Sequence, residues 1–237
     1  MPAEGSLRNN KEIIIISLGG SLVIPDEIDA SFLKSFKDLI ISAIEGGKRF
    51  IIVLGGGKTC RKYQAAGREI VPEMTKTDLD WIGINTNNFN AEFMRITYGE
   101  YAHPVVGKDP KEHIDFKEGV LFWGALEPGH SSDYDAVEVA RVLGAKEIIN
   151  LSNIDYAYDK DPRKYPDAKP LKDISWSEYR ALIPAEWDPG LNSPFDPIAS
   201  QEAQVLGLSV AIMNGKNLPN LERHLNGEAF EGTMIHG

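Results

Sequence analysis

Apolar residues in this chain fall into short unbroken runs, separated by longer stretches in which they recur every three or four positions. The runs at 12–17 (EIIIIS) and 50–54 (FIIVL) are strand-sized and apolar on both faces, as buried parallel strands require. Shorter runs at 102–106, 120–123, 147–151, 209–213 and 232–235 read as further strands. Between the first two, Ile28, Phe32, Leu33, Phe36, Leu39, Ile40, Ala43 and Ile44 mark one helical face, and Gly46-Gly47 supplies the left-handed stop that ends it. Helices are expected at about 58–69, 77–98, 136–143, 175–182, 198–206 and 218–225. The polar stretch 153–172 is too long for an idle connector, and 184–197 reads as irregular. Strands alternating with helices predict an α/β fold whose mostly parallel sheet is covered on both faces. In such sheets ligands gather at the carboxyl ends of the strands.

Composition narrows the function classes. The 237 residues carry a formal net charge of −10, against the basic face that general nucleic-acid binding needs. Local amides, a few cations and Mg²⁺ still suffice for a phosphate ligand on an acidic protein. No apolar run approaches the roughly 20 residues of a membrane helix, and the first dozen residues lack the apolar centre of a signal peptide. The lone cysteine, Cys60, excludes an intrachain disulfide and fits a reducing compartment. The expected location is the cytoplasm.

Two glycine turns directly follow buried strands: SLGGS at 17–21 and LGGGK at 54–58. Without a Cβ, backbone amides approach phosphate oxygens closely, and a following helix start adds positive partial charge. Lys58, Arg61 and Lys62 lie within the first turns of the helix after the second loop. Arg61 has the fork for phosphate oxygens, and Lys58 is closer to a point charge. Neither loop has the spacing of a Walker A motif. Each alone is also consistent with a tight turn and solvated charges; two on strand ends, one carrying cations, favour phosphate binding.

The chain also resembles the amino-acid-kinase family, in particular its UMP kinase branch of archaeal type. The resemblance runs through SLGGS (17–21), VLGGGKTCRKY (53–63), DWIGINTNNFNA (80–91), EPGHSSDYDAV (127–137), NLSNIDYAYDKDP (150–162) and FDPIA (195–199), in that order. It implies one amino-acid-kinase domain over 1–237, a three-layer α/β/α sandwich with a mostly parallel central sheet. An acceptor-binding part would span about 1–135 and an ATP-binding part about 136–237. It implies Gly19, Gly20, Lys58 and Arg61 as the catalytic cradle for transferring phosphates. Gly56, Asp80, Leu126, Glu127, Pro128, Gly129, His130, Ser131 and Ser132 would bind UMP. Gly57, Arg61, Ser152, Asn153, Tyr158 and Asp161 would bind ATP. Mg²⁺ would accompany ATP, with no residues assigned to a resident metal site, though Asp155 is a candidate to position the ion or its loop. Partners would be ATP and UMP, with no nucleic acid and no membrane, and the assembly a homo-oligomer, most commonly a hexamer.

The residues depart from the family pattern in places. Glu127 stands where archaeal members often have histidine, and Ser131 and Ser132 where two threonines are usual. Either Asp133 or Asp135 matches the aspartate that follows this hydroxyl pair. Ser17 and Gln201 occupy positions where lysines are common, so a same-fold kinase for another acidic acceptor and a non-catalytic nucleotide binder are the rival readings. His130 is a possible acid–base group, but an ionised phosphate acceptor needs little proton chemistry. Cys60 reads as a small packing residue.

Overall fold

The computed structural model describes residues 13–112, 114–186 and 193–237. Its first strand, β1 (Ile13–Leu18), runs one residue beyond the expected end; Glu12 lies outside the described residues. A single turn of helix, α1 (Gly20–Val23), replaces the simple glycine turn. Then come α2 (Ala30–Glu45), β2 (Arg49–Leu54), α3 (Gly57–Ile70) and α4 (Lys76–Tyr98). Gly47 has φ of 98° just past α2, the left-handed stop its sequence requires. In α4, a Thr75–Asp78 capping box fixes the start.

The second half holds β3 (Val120–Trp123), α5 (Ser132–Leu143), β4 (Glu147–Ser152), β5 (Ala157–Tyr158) and β6 (Pro170–Leu171). It closes with β7 (Asp173–Ser175), α6 (Trp176–Leu182), α7 (Pro197–Leu206), β8 (Ser209–Asn214), α8 (Leu218–Leu225) and β9 (Thr233–His236). The main sheet has the order β3-β2-β1-β4-β8-β9-β7, and its first five strands are parallel. β9 returns antiparallel to β8, and β7 pairs parallel to β9.

Three expectations need correction. The run 102–106 forms no strand; isolated bridges at Ala102–Val120 and, just past the run, Gly107–Trp123 join this segment to β3, because Pro104 has no N–H to donate to a ladder. The helix expected from Ala136 begins at Ser132, where Ser131 caps it by accepting from the Asp133 amide at 3.1 Å. The polar stretch after β4 contains the β5–β6 hairpin. Part of the irregular segment expected over 184–197 lies outside the described residues.

Alternation along each strand builds two cores. Ile16, Leu18, Ile52, Leu54, Phe122, Leu151 and Met213 face one layer, containing α1, α2, α4 and α8 through Leu22, Phe36, Met94 and Leu221. Ile15, Ile51, Val53, Trp123, Ile148, Val210 and Ile212 face the other, containing α5, α6 and α7 through Val137, Trp176 and Ala199. Burying each large aliphatic or aromatic side chain contributes about 1.5–3 kcal/mol, and a period of two on a sheet serves both layers at once. Ser17 and Asn150 are polar exceptions at neighbouring register positions near the strand ends, 2% and 4% exposed. Buried polar groups need partners, and theirs lie on the α5 side.

Candidate functional site

The two glycine turns lie back to back. Gly55 N donates to Leu18 O at 3.1 Å and Lys58 N to Ile24 O at 3.0 Å. A Cβ on Gly20 would fall 2.1 Å from Gly57 N and 2.6 Å from Gly55 C, so no side chain fits there. Gly57 itself needs a φ of +65°, which glycine adopts without strain. Gly19, Gly20, Gly56, Gly57 and Lys58 are therefore gathered at the carboxyl ends of β1 and β2, where α3 begins. Lys58 Nζ lies 3.2 Å from Asp26 Oδ1, and Arg61 is exposed on α3. Cys60 packs beneath the loop, its Sγ 3.3 Å from where a Gly56 Cβ would stand, and burial pushes its thiol pKa up.

Asparagines of α4 hold this edge in place, a role that the sequence reading left unassigned within DWIGINTNNFNA. Asn90, 2% exposed, donates to Gly55 O at 2.8 Å. Asn88 Oδ1 accepts from Ala125 N at 3.0 Å, at the mouth of the loop that carries Leu126, Glu127, Pro128, Gly129 and His130. Asp80 does not cap α4; it sits within the helix, and its Oδ2 accepts from Gly129 N at 2.9 Å. Helix spacing places Asp80, Asn87, Asn88 and Asn90 within three turns of α4, so one helix positions both the glycine loop and the 126–131 loop. Leu126 and Glu127 are exposed, while His130 turns inward. Its ring centroid is 4.5 Å from that of Tyr134, and its Nδ1 is 3.8 Å from Asp135 Oδ1, longer than a hydrogen bond.

Beneath that loop lies a knot of carboxyl groups. Asp133 Oδ1 accepts from Ser17 Oγ and Asn150 Nδ2, each at 3.0 Å, and Oδ2 accepts from Asp196 N at 3.3 Å. Ser131 Oγ donates to Asp196 Oδ2, and Asp196 Oδ1 accepts from Ala199 N at 2.8 Å to cap α7. Of the two aspartates left open by sequence, Asp133 thus faces the end of β1. Asp135 faces inward, its Oδ2 buried without a hydrogen-bond partner among the described residues. Burial, with the charge of Asp196 second, pushes the Asp133 carboxyl up to about 7. The same two causes, with Asp133 added, hold Asp135 well above the ordinary carboxylate range. Ser132 opens α5 beside this knot.

The remaining candidates lie across β4 and β8. Ser152 O accepts from Gly215 N at 2.9 Å, and Asn153 is exposed. Tyr158, on β5, meets Tyr156 edge-on at 6.5 Å. Asp161 is engaged by Arg163 through Nε at 3.0 Å and Nη2 at 3.2 Å, and that pairing lowers its pKa. Tyr158 and Asp161 belong to the hairpin segment, and no hydrogen bond among the described residues joins them to the glycine turns. Gln201 is exposed on α7, and the Ser17 hydroxyl is committed to Asp133, so neither brings a positive charge to the strand ends.

Known proteins resemble the chain in sequence and in fold. The model of the amino acid kinase family matches residues 118–214. A uridylate kinase of Thermococcus onnurineus is 36% identical over 226 residues, covering 94% of this chain and 98% of that protein. One from Methanobrevibacter smithii is 31% identical over 225 residues, again with 94% and 98% covered. The crystal structure of uridylate kinase from Archaeoglobus fulgidus superposes with a TM-score of 0.77 at 27% identity, over 94% of this chain and 99% of that one. UMP kinase from Bacillus anthracis, at 19% identity and a TM-score of 0.75 over 94% and 95% of the two chains, shares the fold. With two glycine turns meeting at the ends of parallel strands and relatives matched over almost their whole length, the chain belongs to the amino acid kinase family.

Proposed function

We propose that the protein is a UMP kinase, transferring the γ-phosphoryl group of ATP to UMP to give UDP and ADP. The observation that carries this reading is the convergence of both glycine turns with a 126–131 loop tied to α4 through Asp80–Gly129 and Asn88–Ala125. A phosphate oxygen of UMP attacks the γ-phosphorus as the bond from that phosphorus to the ADP oxygen breaks. The acceptor is already ionised, so positioning and charge stabilisation carry the reaction. Gly19, Gly20, Lys58 and Arg61 cradle the transferring group. Gly56, Asp80 and residues 126–132 hold UMP; a carboxylate such as Asp80 accepts from ribose hydroxyls, and backbone groups with the Ser131 and Ser132 hydroxyls read uracil without a charged side chain.

Gly57, Arg61, Ser152, Asn153, Tyr158 and Asp161 hold ATP, with the Tyr158 ring available to cover adenine. Mg²⁺ bound to nucleotide phosphates needs one or two protein carboxylates. Asp155 fits that donor chemistry, just past the carboxyl end of β4 with its Oδ1 accepting from Asn214 at 2.9 Å. Held there, the ion would offset the negative charge of the donor phosphates. In this reading the chain is one amino-acid-kinase unit with an acceptor part over about 1–135 and a donor part over about 136–237. It works in the cytoplasm as a homo-oligomer, by family habit a hexamer.

A coupled ADP-release assay with UMP, CMP, acetylglutamate, carbamate and isopentenyl phosphate tests the proposal. UMP should give the fastest turnover; no acceleration by UMP above background would sink it. The positions of Ser17 and Gln201 favour one second reading, a nucleotide binder that turns over slowly or not at all. Calorimetry showing tight ATP and UMP binding alongside a silent assay would select that reading.

A further inference from the structure

The transfer brings a triphosphate against a monophosphate, at a strand edge beside which the carboxyl groups of Asp133, Asp135 and Asp196 cluster. Lys58 brings positive charge on the β2 side of this edge. On the β8 side, Lys216 follows the strand directly. Gly215 N donates to Ser152 O, and a Cβ on Gly215 would lie 2.3 Å from Leu22 Cδ1, so the turn after β8 packs onto α1 beside the first glycine turn. Lys216 N donates to Asn214 Oδ1 at 3.0 Å, and Asn214 Nδ2 donates to Asp155 at 2.9 Å. Asn214 thereby ties the lysine's turn to a carboxylate of the donor side. The Lys216 side chain is half-exposed and its Nζ reaches Asp29 Oδ2 at 3.1 Å, while Asp29 Oδ1 caps α2 through Phe32 N. Lys58 is paired in the same manner with Asp26. The loop between α1 and α2 therefore holds one lysine from each side of the glycine turns.

We propose that Lys216 binds the donor phosphates from the β8 side, exchanging the Asp29 carboxylate for phosphate oxygens when ATP enters. This deepens the kinase reading and rests on it. An exposed lysine–carboxylate pair is weak, and phosphate oxygens offer the ammonium group a greater concentration of negative charge. The exchange needs only side-chain rotation, because the Lys216 stem is flexible and its backbone is pinned by Asn214.

Three variants test it: Lys216→Met, Lys216→Arg and Asp29→Asn. Asparagine caps a helix nearly as well as aspartate, so Asp29→Asn removes the pair while leaving α2 its cap. Lys216→Met should weaken ATP binding in calorimetry and raise KM for ATP by roughly tenfold or more, the scale of one charged hydrogen bond. KM for UMP and the binding of adenosine should stay near wild type. Lys216→Arg should recover most of the loss, and Asp29→Asn should leave ATP affinity equal or improved. The proposal is overturned if Lys216→Met binds ATP as wild type does, or if Lys216→Met and Asp29→Asn lose affinity alike, since a merely structural pair would be broken by either. A wild-type protein silent with UMP would defeat the kinase assignment, while the comparison of ATP with adenosine would still report on Lys216.

Discussion

The two sides of the strand edge are built from different materials. On the β1–β2 side, hydrogen bonds run from α4 side chains to backbone atoms: Asn90 to Gly55 is buried and Asn88 to Ala125 half-buried, while Asp80 to Gly129 lies at the surface. On the β4–β8 side the hairpin is anchored through Ala157 N, which donates to Thr233 Oγ1 at 2.8 Å, but the ion pairs around it face solvent: Lys160–Asp167, Arg163–Asp161 and Lys216–Asp29. A buried bond left unmade costs about 1–3 kcal/mol, whereas an exposed pair contributes about 0–1 kcal/mol. One side is preset, and the other rearranges cheaply. For a phosphotransfer site this division is useful, because the acceptor must be aligned closely and the donor must enter and leave.

The comparison breaks first at Gly20. Gly20→Ala forces a Cβ into backbone atoms of the facing turn, at an expected cost of about 3 kcal/mol or more. Thermal melts and turnover should both suffer, with turnover falling by roughly a hundredfold or more. A variant with normal turnover would mean that the two turns are not locked together. Asn90→Ala is the next in size. It strips Gly55 O of a buried donor, so denaturant unfolding should show a loss of about 1–3 kcal/mol, and KM for both nucleotides should rise.

Asp133→Asn tests the buried knot through pH. The Asp133 carboxyl rises from 3.8 to about 7 on folding, so the folded chain keeps a proton that the unfolded chain releases. The stability from that proton is full below about pH 4 and is lost as pH rises through 7. Between pH 6 and 8 this group should remove stability on the order of 1 kcal/mol, or roughly 2–4 °C of melting temperature. The Asn variant should lack that component, and an unchanged pH slope in its melts would refute the assignment. Tyr158→Ala should have the smallest effect, on the adaptable side. KM for ATP should rise by roughly tenfold or less, the scale of a ring contact, with the melting temperature hardly moved. A large drop in stability would show that the hairpin is structural rather than adaptable.

Much of the architecture was legible because strand and helix periods are local. EIIIIS and FIIVL could only be buried strands, and 218–225 was placed to the residue. The start of α5 was missed because its first turn is polar, although Ser131 with Asp133 and Asp135 is the acidic signature of a helix start. β7 has one buried apolar side chain, Ile174, too little pattern to separate it from a loop. The direction of β9 was not readable at all, since alternation encodes faces and not partners. The glycine turns announced themselves by position after strands. The asparagine ties and the Asp133–Ser17–Asn150 contact did not, because they join residues distant in sequence whose types are equally at home in turns and caps.

The back-to-back packing of Gly20 against Gly55 and Gly57 has a consequence for how this sequence can drift. Neither turn is free to explore side chains alone, since a Cβ admitted in one meets the backbone of the other. Variation in SLGGS and LGGGK is therefore coupled, and a directed-evolution library that randomises one loop while freezing the other should return almost only glycine at position 20. Changes of specificity would have to be recruited from elsewhere, most readily from the exposed 126–127 stretch and the β5–β6 hairpin, where substitutions displace solvent instead of backbone.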